Sequence, residues 1–94
     1  MAVRLDPRHS RAWFNLGLAR NTQGQSEAAL EALLRAETLA PDDPQIPYAR
    51  ATILARLDRK PEARVALERA LALSPNYADA QRLIEELSRP PSPR

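Results

Sequence analysis

The chain has 94 residues, of which 44% are hydrophobic and 28% are charged, and its formal net charge is +2. This length holds one small domain, and the dominance of alanine and leucine among the apolar residues favours helix and excludes an all-β fold. Cysteine is absent, which excludes disulfides and thiolate sites, and no apolar run approaches the roughly 18 residues that a membrane span requires.

Two complete helices are predicted in the first half of the chain. Ser10 is the expected N-cap of the first helix, whose small and apolar residues recur at helical spacing until Gly24. Ser26 is expected to cap the second helix, and Pro41 ends it. The turn between the two helices is therefore short, and the helices are expected to be antiparallel.

Two further helices follow in the same arrangement. Asp43 or Gln45 starts the third predicted helix, which runs to about Leu57. Pro61 stands where the first turn of a helix accepts proline, and the fourth helix continues from there to Pro75. These two helices form a second predicted hairpin.

A shorter helix is predicted at the end of the chain. Asn76 is its expected cap, and the helix covers residues 78–88. One side of this helix is polar, which suits the closing helix of a stack. Residues 89–94 contain three prolines and are predicted to be a disordered tail.

The sequence repeats itself with a period of 34 residues. Three copies of one pattern align, with Ala2, Leu5 and Pro7 matching Ala36, Leu39 and Pro41, which match Ala70, Leu73 and Pro75. Further identical pairs join the second and third copies: Ala29/Ala63, Ala32/Ala66, Leu33/Leu67 and Arg35/Arg69. A helical pair of this length cannot bury its apolar face alone, so stacking of the pairs is expected.

The repeated residues resemble the tetratricopeptide repeat family. The resemblance rests on Trp13, Leu16, Gly17, Gly24, Ala29, Leu33, Ala36 and Pro41, then on Ala51, Ala63, Leu67, Ala70 and Pro75. It implies an all-α fold in which antiparallel helix-turn-helix repeats stack as a short right-handed solenoid with a C-terminal capping helix. The implied domain covers residues 1–88, divided into the tail of a preceding repeat (1–9), two repeats (10–43 and 44–77) and the cap (78–88).

The small residues of the pattern have a mechanical reason. Gly17, Ala29, Ala51 and Ala63 are expected where paired helices approach closely, since larger side chains would push the helices apart. Trp13 is expected in the core.

The second repeat departs from the family pattern at its first helix. Pro47 stands in place of the family's tryptophan, so this helix is expected to begin late, near Ile46, or with an irregular first turn. Arg50 replaces a leucine. Arg20 and Leu54 replace the family's tyrosine, which predicts thinner packing around them.

Catalytic, cofactor and metal sites are predicted to be absent. The lone histidine, His9, has no serine or acid at motif spacing and is interpreted as a turn or capping residue. Asp42 and Asp43 fit a solvated turn better than a calcium loop. Basic residues are spread along the chain and stacking aromatics are few, so neither nucleic acid nor a membrane is an expected partner.

The resemblance implies that the first helix of each pair lines a concave groove. The predicted partner-binding residues in that groove are Arg11, Phe14, Asn15, Leu18, Tyr48, Thr52, Arg56 and Arg82. The alternative for Phe14 and Tyr48 is packing between neighbouring helices. A carboxylate clamp of the kind some family members use for peptide C-termini is not expected, because its positions hold Phe14, Leu18, Ala49, Asp79 and Leu83.

The predicted function is a non-catalytic protein–protein interaction module that binds a peptide or partner protein in this groove. The alternative is a structural spacer or self-association module of a larger protein, motivated by the unpartnered apolar segment from Ala2 to Leu5 at the N-terminal end. The bias toward alanine, arginine and proline favours a bacterial source.

Overall fold

A computed structural model describes residues 9–89, which form five helices and no strand. The helices are α1 Ser10–Thr22, α2 Ser26–Leu39, α3 Gln45–Arg56, α4 Lys60–Leu73 and α5 Ala78–Ser88. The all-α prediction is confirmed, and α5 has the predicted bounds. The expectations for residues 1–8 and 90–94 lie outside the described residues.

The helices stack in the order of the chain. The pairs α1/α2 and α3/α4 form two hairpins, α3 packs against both α2 and α4, and α5 packs against α4. One core cluster joins the hairpins around Leu33, Ile46 and Ile53. A second cluster includes Leu67 and Ala80, which join the second hairpin to α5. The stacked helical pairs of the sequence prediction are therefore present.

The N-terminal caps differ from the expected ones. His9, and not Ser10, precedes α1, and its Nδ1 accepts a hydrogen bond from the Ala12 N–H at 3.2 Å. Ser26 is the first residue of α2 and makes no capping bond, and Tyr77, not Asn76, precedes α5. At α2 the Gln25 carbonyl accepts the first intrahelical hydrogen bond, from the Ala29 N–H at 2.9 Å, and no side chain caps the N–H groups before it.

The start of α3 agrees to within one residue with the expected start near Ile46. The helix begins at Gln45, whose N–H donates to Asp43 Oδ1 at 3.0 Å. Pro47 is the third helical residue, and an N–H at that position has no intrahelical acceptor in any helix. Proline therefore costs no hydrogen bond here. Its ring is fully buried at the position that Trp13 holds one repeat earlier.

Gly17 sits at the predicted close approach of paired helices. A Cβ atom at this position would lie 2.7 Å from Leu33 Cγ and 3.1 Å from the Ala29 carbonyl oxygen. Ala29, Ala51 and Ala63 are also completely buried. The predicted close approach is confirmed at Gly17 against Leu33 and Ala29, and the complete burial of Ala51 and Ala63 agrees with the same role in the second hairpin.

The two hairpins turn in the same way, through residues one period apart. After α1, Gly24 has φ +80°, and the Gln25 N–H donates to the Arg20 carbonyl at 2.9 Å. After α3, Asp58 has φ +60°, and the Arg59 N–H donates to the Leu54 carbonyl at 2.9 Å. Both are Schellman motifs, but the second places a non-glycine residue in the left-handed region.

Asp58→Gly is expected to raise the free energy of unfolding by about 0.5–1 kcal/mol. The left-handed backbone costs a residue with a Cβ about 1–2 kcal/mol, and the larger conformational freedom of unfolded glycine returns part of the gain. Gly24→Asp is the matched reverse substitution and is expected to lower stability by a similar amount. Urea unfolding of both variants measures the effect, and a change of the same sign in both would contradict this reading of the turns.

Candidate functional site

The predicted groove residues lie on α1, α3 and α5. Five of them are exposed, namely Arg11, Asn15, Leu18, Arg56 and Arg82, and three are half-buried, namely Phe14, Tyr48 and Thr52. We call the surface carrying these eight residues the first-helix face. Phe14 contacts the core shared by α2 and α3, and Tyr48 reaches the start of α5, so the face runs across three neighbouring helices.

The two aromatic rings of the face combine packing with exposure. Phe14 packs against buried residues and lies beneath the Arg11 guanidinium, whose Cζ is 5.5 Å from the ring centroid. Tyr48 packs against the second core cluster and against Tyr77, with the ring centroids 5.1 Å apart. Phe14 and Tyr48 therefore do pack between neighbouring helices, as the alternative expectation held. This packing holds both rings in place. Leu18 is more open, with 40% of its surface exposed.

The surroundings of the tyrosine pair keep both phenols protonated. Burial raises the pKa of Tyr48 above its ordinary value, the carboxylates of Asp79 and Glu86 raise it further, and Arg82 opposes them. The pKa of Tyr77 is also raised, first by burial and then by Tyr48 and Asp79. Each hydroxyl therefore remains a hydrogen-bond donor at neutral pH.

Thr52 has less freedom to contact a partner than the sequence suggested. Its hydroxyl donates to the Ala49 carbonyl within the same helix, at 2.7 Å. The oxygen keeps acceptor capacity, but its proton is committed.

Trp13 packs against the first core cluster, as expected of a core residue, but it is half-buried and not fully enclosed. Its ring stacks with Arg35, whose Cζ is 5.6 Å from the centroid, and its buried Nε1 has no hydrogen-bond acceptor among residues 9–89. With Leu16 and Arg20 it lines a concavity of about 190 Å³ at the open end of the first hairpin. Trp13 is more exposed than Pro47, its equivalent one period later. Pro47 is covered by α2, whereas residues 9–89 include no helix that covers Trp13 in the same way.

A larger groove lies between α2 and α4, where no site was predicted. Its volume is about 420 Å³, and α3 forms its floor. We call it the α2–α4 groove. It is lined by Glu27, Leu30, Glu31, Leu34, Arg50, Leu54, Arg59, Glu62 and Val65.

Two features of the sequence could have indicated this groove. Leu34 directly follows the buried Leu33, and Val65 directly precedes the buried Ala66, so the side chains of Leu34 and Val65 point to a different side of the helix from those neighbours. In addition, thinner packing was expected at Leu54, where the family's tyrosine is missing. Leu54 itself is buried, but the groove opens above it.

Three ion pairs surround the α2–α4 groove. Arg59 bridges its two walls, with contacts of 3.1 Å to Glu27 and 2.8 Å to Glu62. Arg50 on the floor lies 3.1 Å from Glu37. The hydrogen bond from Arg59 lowers the pKa of Glu62, which therefore stays ionised near neutral pH.

Within residues 9–89, no group of three or more histidines and acids is placed to hold a metal ion. None of the five helices is long and apolar enough to cross a bilayer.

Residues 2–44 match the model of the tetratricopeptide repeat family. No curated protein sequence gives a significant match.

Solved structures share the fold over nearly the whole chain. A crystal structure of MamA is 28% identical, with a TM-score of 0.80 over 87% of this chain and 48% of that one. The Yersinia enterocolitica type III secretion chaperone SycD, in complex with a peptide of the translocator YopD, is 26% identical, with a TM-score of 0.75 over 89% and 64% of the two chains. PcrH, in complex with the chaperone-binding region of PopD, is 23% identical with a TM-score of 0.84 over 89% and 68%, and at that identity it shows the fold alone.

The chain thus spans about half the length of MamA and less than two thirds of SycD. The repeat pattern, the match over residues 2–44 and the stacked hairpins are together similar to those of tetratricopeptide-repeat proteins.

Proposed function

We propose that the chain is a non-catalytic interaction module that binds a peptide or a partner protein on the first-helix face. The proposal rests on the exposure of Leu18 one helical turn after Phe14, on a face whose two aromatic rings, Phe14 and Tyr48, pack against the core. Rigid apolar anchors of this kind lose little conformational entropy on binding, and aromatic residues and arginine dominate the energetics of interfaces.

The charges of the face suit a segment of mixed polarity. Arg11, Arg56 and Arg82 are exposed around the anchors, and Asp79 and Glu86 lie close to Tyr48. The arginines attract and orient acidic residues of a partner, while the carboxylates at the α5 end disfavour them there. Charge complementarity therefore contributes direction and specificity, and the apolar anchors contribute most of the affinity.

The related structures support the same class of function. SycD binds a peptide of YopD through the same fold, which is a precedent for peptide recognition by this chain. His9 supports the non-catalytic part of the proposal, since the chain's one histidine is used to cap α1.

Photo-crosslinking from the first-helix face tests the proposal. A benzophenone amino acid replaces Leu18 in one variant and Leu39 in a matched control, because these leucines have 40% and 37% of their surface exposed and lie on different helices. After irradiation in lysate of the source cells, a discrete protein adduct is expected from position 18. Position 39 is expected to give none.

The adduct at position 18 is also expected to be lost on Arg56→Glu, which removes a charge from the face without opening the core. Circular dichroism confirms that each variant folds. Equal crosslinking from positions 18 and 39, or no adduct from position 18, would contradict the proposal.

We propose self-association through the N-terminal end as the second candidate. The motivating segment, Ala2 to Leu5, lies outside the described residues, and the support from the structure comes from the surface around Trp13 and Leu16. Trp13 and Leu16 are half-buried there, and the buried Trp13 N–H has no acceptor within residues 9–89, which costs free energy unless another segment supplies one. A second copy that packs on this end would supply both apolar cover and an acceptor.

Light scattering over a range of concentrations tests the second candidate. A rise in mass with concentration that is suppressed by Leu16→Glu is expected if copies associate through this end. A strict monomer at high concentration would rule the candidate out.

A further inference from the structure

We propose that the α2–α4 groove is a second docking surface, which takes a segment that inserts one bulky aliphatic or aromatic side chain next to a lysine or arginine. The groove is distinct from the first-helix face. On α3, Arg50 and Leu54 line the groove, whereas Tyr48 and Thr52 belong to the face. Residues two apart on a helix differ by about 200° in direction, so the two surfaces lie on opposite sides of α3.

The shape of the groove follows from the position of α3. This helix packs against both α2 and α4, and α2 and α4 make no extensive contact with each other. A channel is left between them, with the buried Leu54 and the half-buried Leu30 at its base. Its volume of about 420 Å³ is ample for one large side chain and its neighbours.

The rim of the groove carries the most exposed apolar side chains of residues 9–89. Val65 on α4 has 65% of its surface exposed, and Leu34 on α2 has 52%. They stand on opposite walls of the same groove. A single inserted apolar side chain would remove surface of both from water, which is the favourable term that such a site offers.

The charges around the groove select the residue next to that anchor. Three carboxylates, those of Glu27, Glu31 and Glu62, line the groove together with two guanidiniums, those of Arg50 and Arg59. Glu37 lies outside the lining and pairs with Arg50, and Arg35 lies next to Glu31 in the two smaller concavities. Arg59 is shared between Glu27 and Glu62, and Arg50 is engaged by Glu37. Glu31 forms no ion pair with another residue of 9–89.

This local excess of negative charge stands on a chain whose net charge is +2. A cationic side chain beside the anchor is therefore complementary to the groove, and an acidic one is repelled.

Glu31 also connects the groove to the neighbouring surface of α2. It lines two smaller concavities, one with Leu34, Arg35 and Thr38 and one at the Trp13 end of the first hairpin. A bound segment can thus continue past Glu31 along α2, with its apolar side chain in the α2–α4 groove and its basic residue at Glu31. The occupant we infer is a peptide segment of this kind from a partner protein.

Selection from a displayed library of random peptides tests the inference. Peptides are enriched on the wild-type chain, and the affinity of each is then measured on Val65→Ser, on Glu31→Lys and on the control Leu18→Ser. All three positions are exposed, so the variants are expected to fold, and circular dichroism checks this. We expect a class of peptides with a bulky apolar residue next to Lys or Arg, which binds about tenfold more weakly to Val65→Ser and to Glu31→Lys.

The same class is expected to bind Leu18→Ser unchanged. Peptides that lose affinity only on Leu18→Ser report on the first-helix face, so the two surfaces are distinguished in one experiment. The inference is overturned if no enriched peptide is weakened by Val65→Ser and Glu31→Lys, or if the weakened peptides are acidic.

Discussion

The close approach of paired helices at small residues is the contact on which both surfaces of this protein depend. Leu33 fills the space that a side chain at Gly17 would occupy, and the completely buried Ala51 and Ala63 belong to the core of the second hairpin. The pairs α1/α2 and α3/α4 are accordingly the most extensively packed pairs of helices within residues 9–89. The apolar residues left on the sides of each hairpin then join one hairpin to the next.

The position of α3 in the stack separates the two surfaces that we propose for binding. One side of α3 carries Tyr48 and lies beside α1 and α5, where rings held by the core provide a firm surface with mixed charges. Its other side carries Leu54 and lies beneath the gap between α2 and α4. The first surface is basic at its edges, and the second is surrounded mainly by carboxylates, so the two are suited to different ligands.

Much of the fold could be predicted because the prolines and small residues repeat in register. The helix ends were harder: His9 caps α1 although Ser10 has the better cap preference, and Pro47 fits inside the first turn of α3 because no N–H bond is lost there. The α2–α4 groove was missed since it is made of residues outside the repeat pattern, above all Leu34 and Val65. The cross-repeat bridging by Arg59 depends on the packing angle of two helices and could not be read from spacing along one of them.

A double-mutant cycle at Gly17 and Leu33 is the most direct test of whether the paired helices approach closely at small residues. Gly17→Ala is made in the wild-type chain and in Leu33→Ala, and unfolding free energies are compared in the same osmolyte-containing buffer, which keeps the weaker background folded. In the wild type, overpacking costs about 1–3 kcal/mol and exceeds the helix-propensity gain of about 1 kcal/mol, so stability is expected to fall. In Leu33→Ala the contacts with the leucine side chain are gone and only the 3.1 Å approach to the Ala29 carbonyl oxygen remains, so Gly17→Ala is expected to be less destabilising than in the wild type, or stabilising by up to about 1 kcal/mol. A similar rise in both backgrounds would show that the helices do not approach closely at Gly17, and would contradict the account.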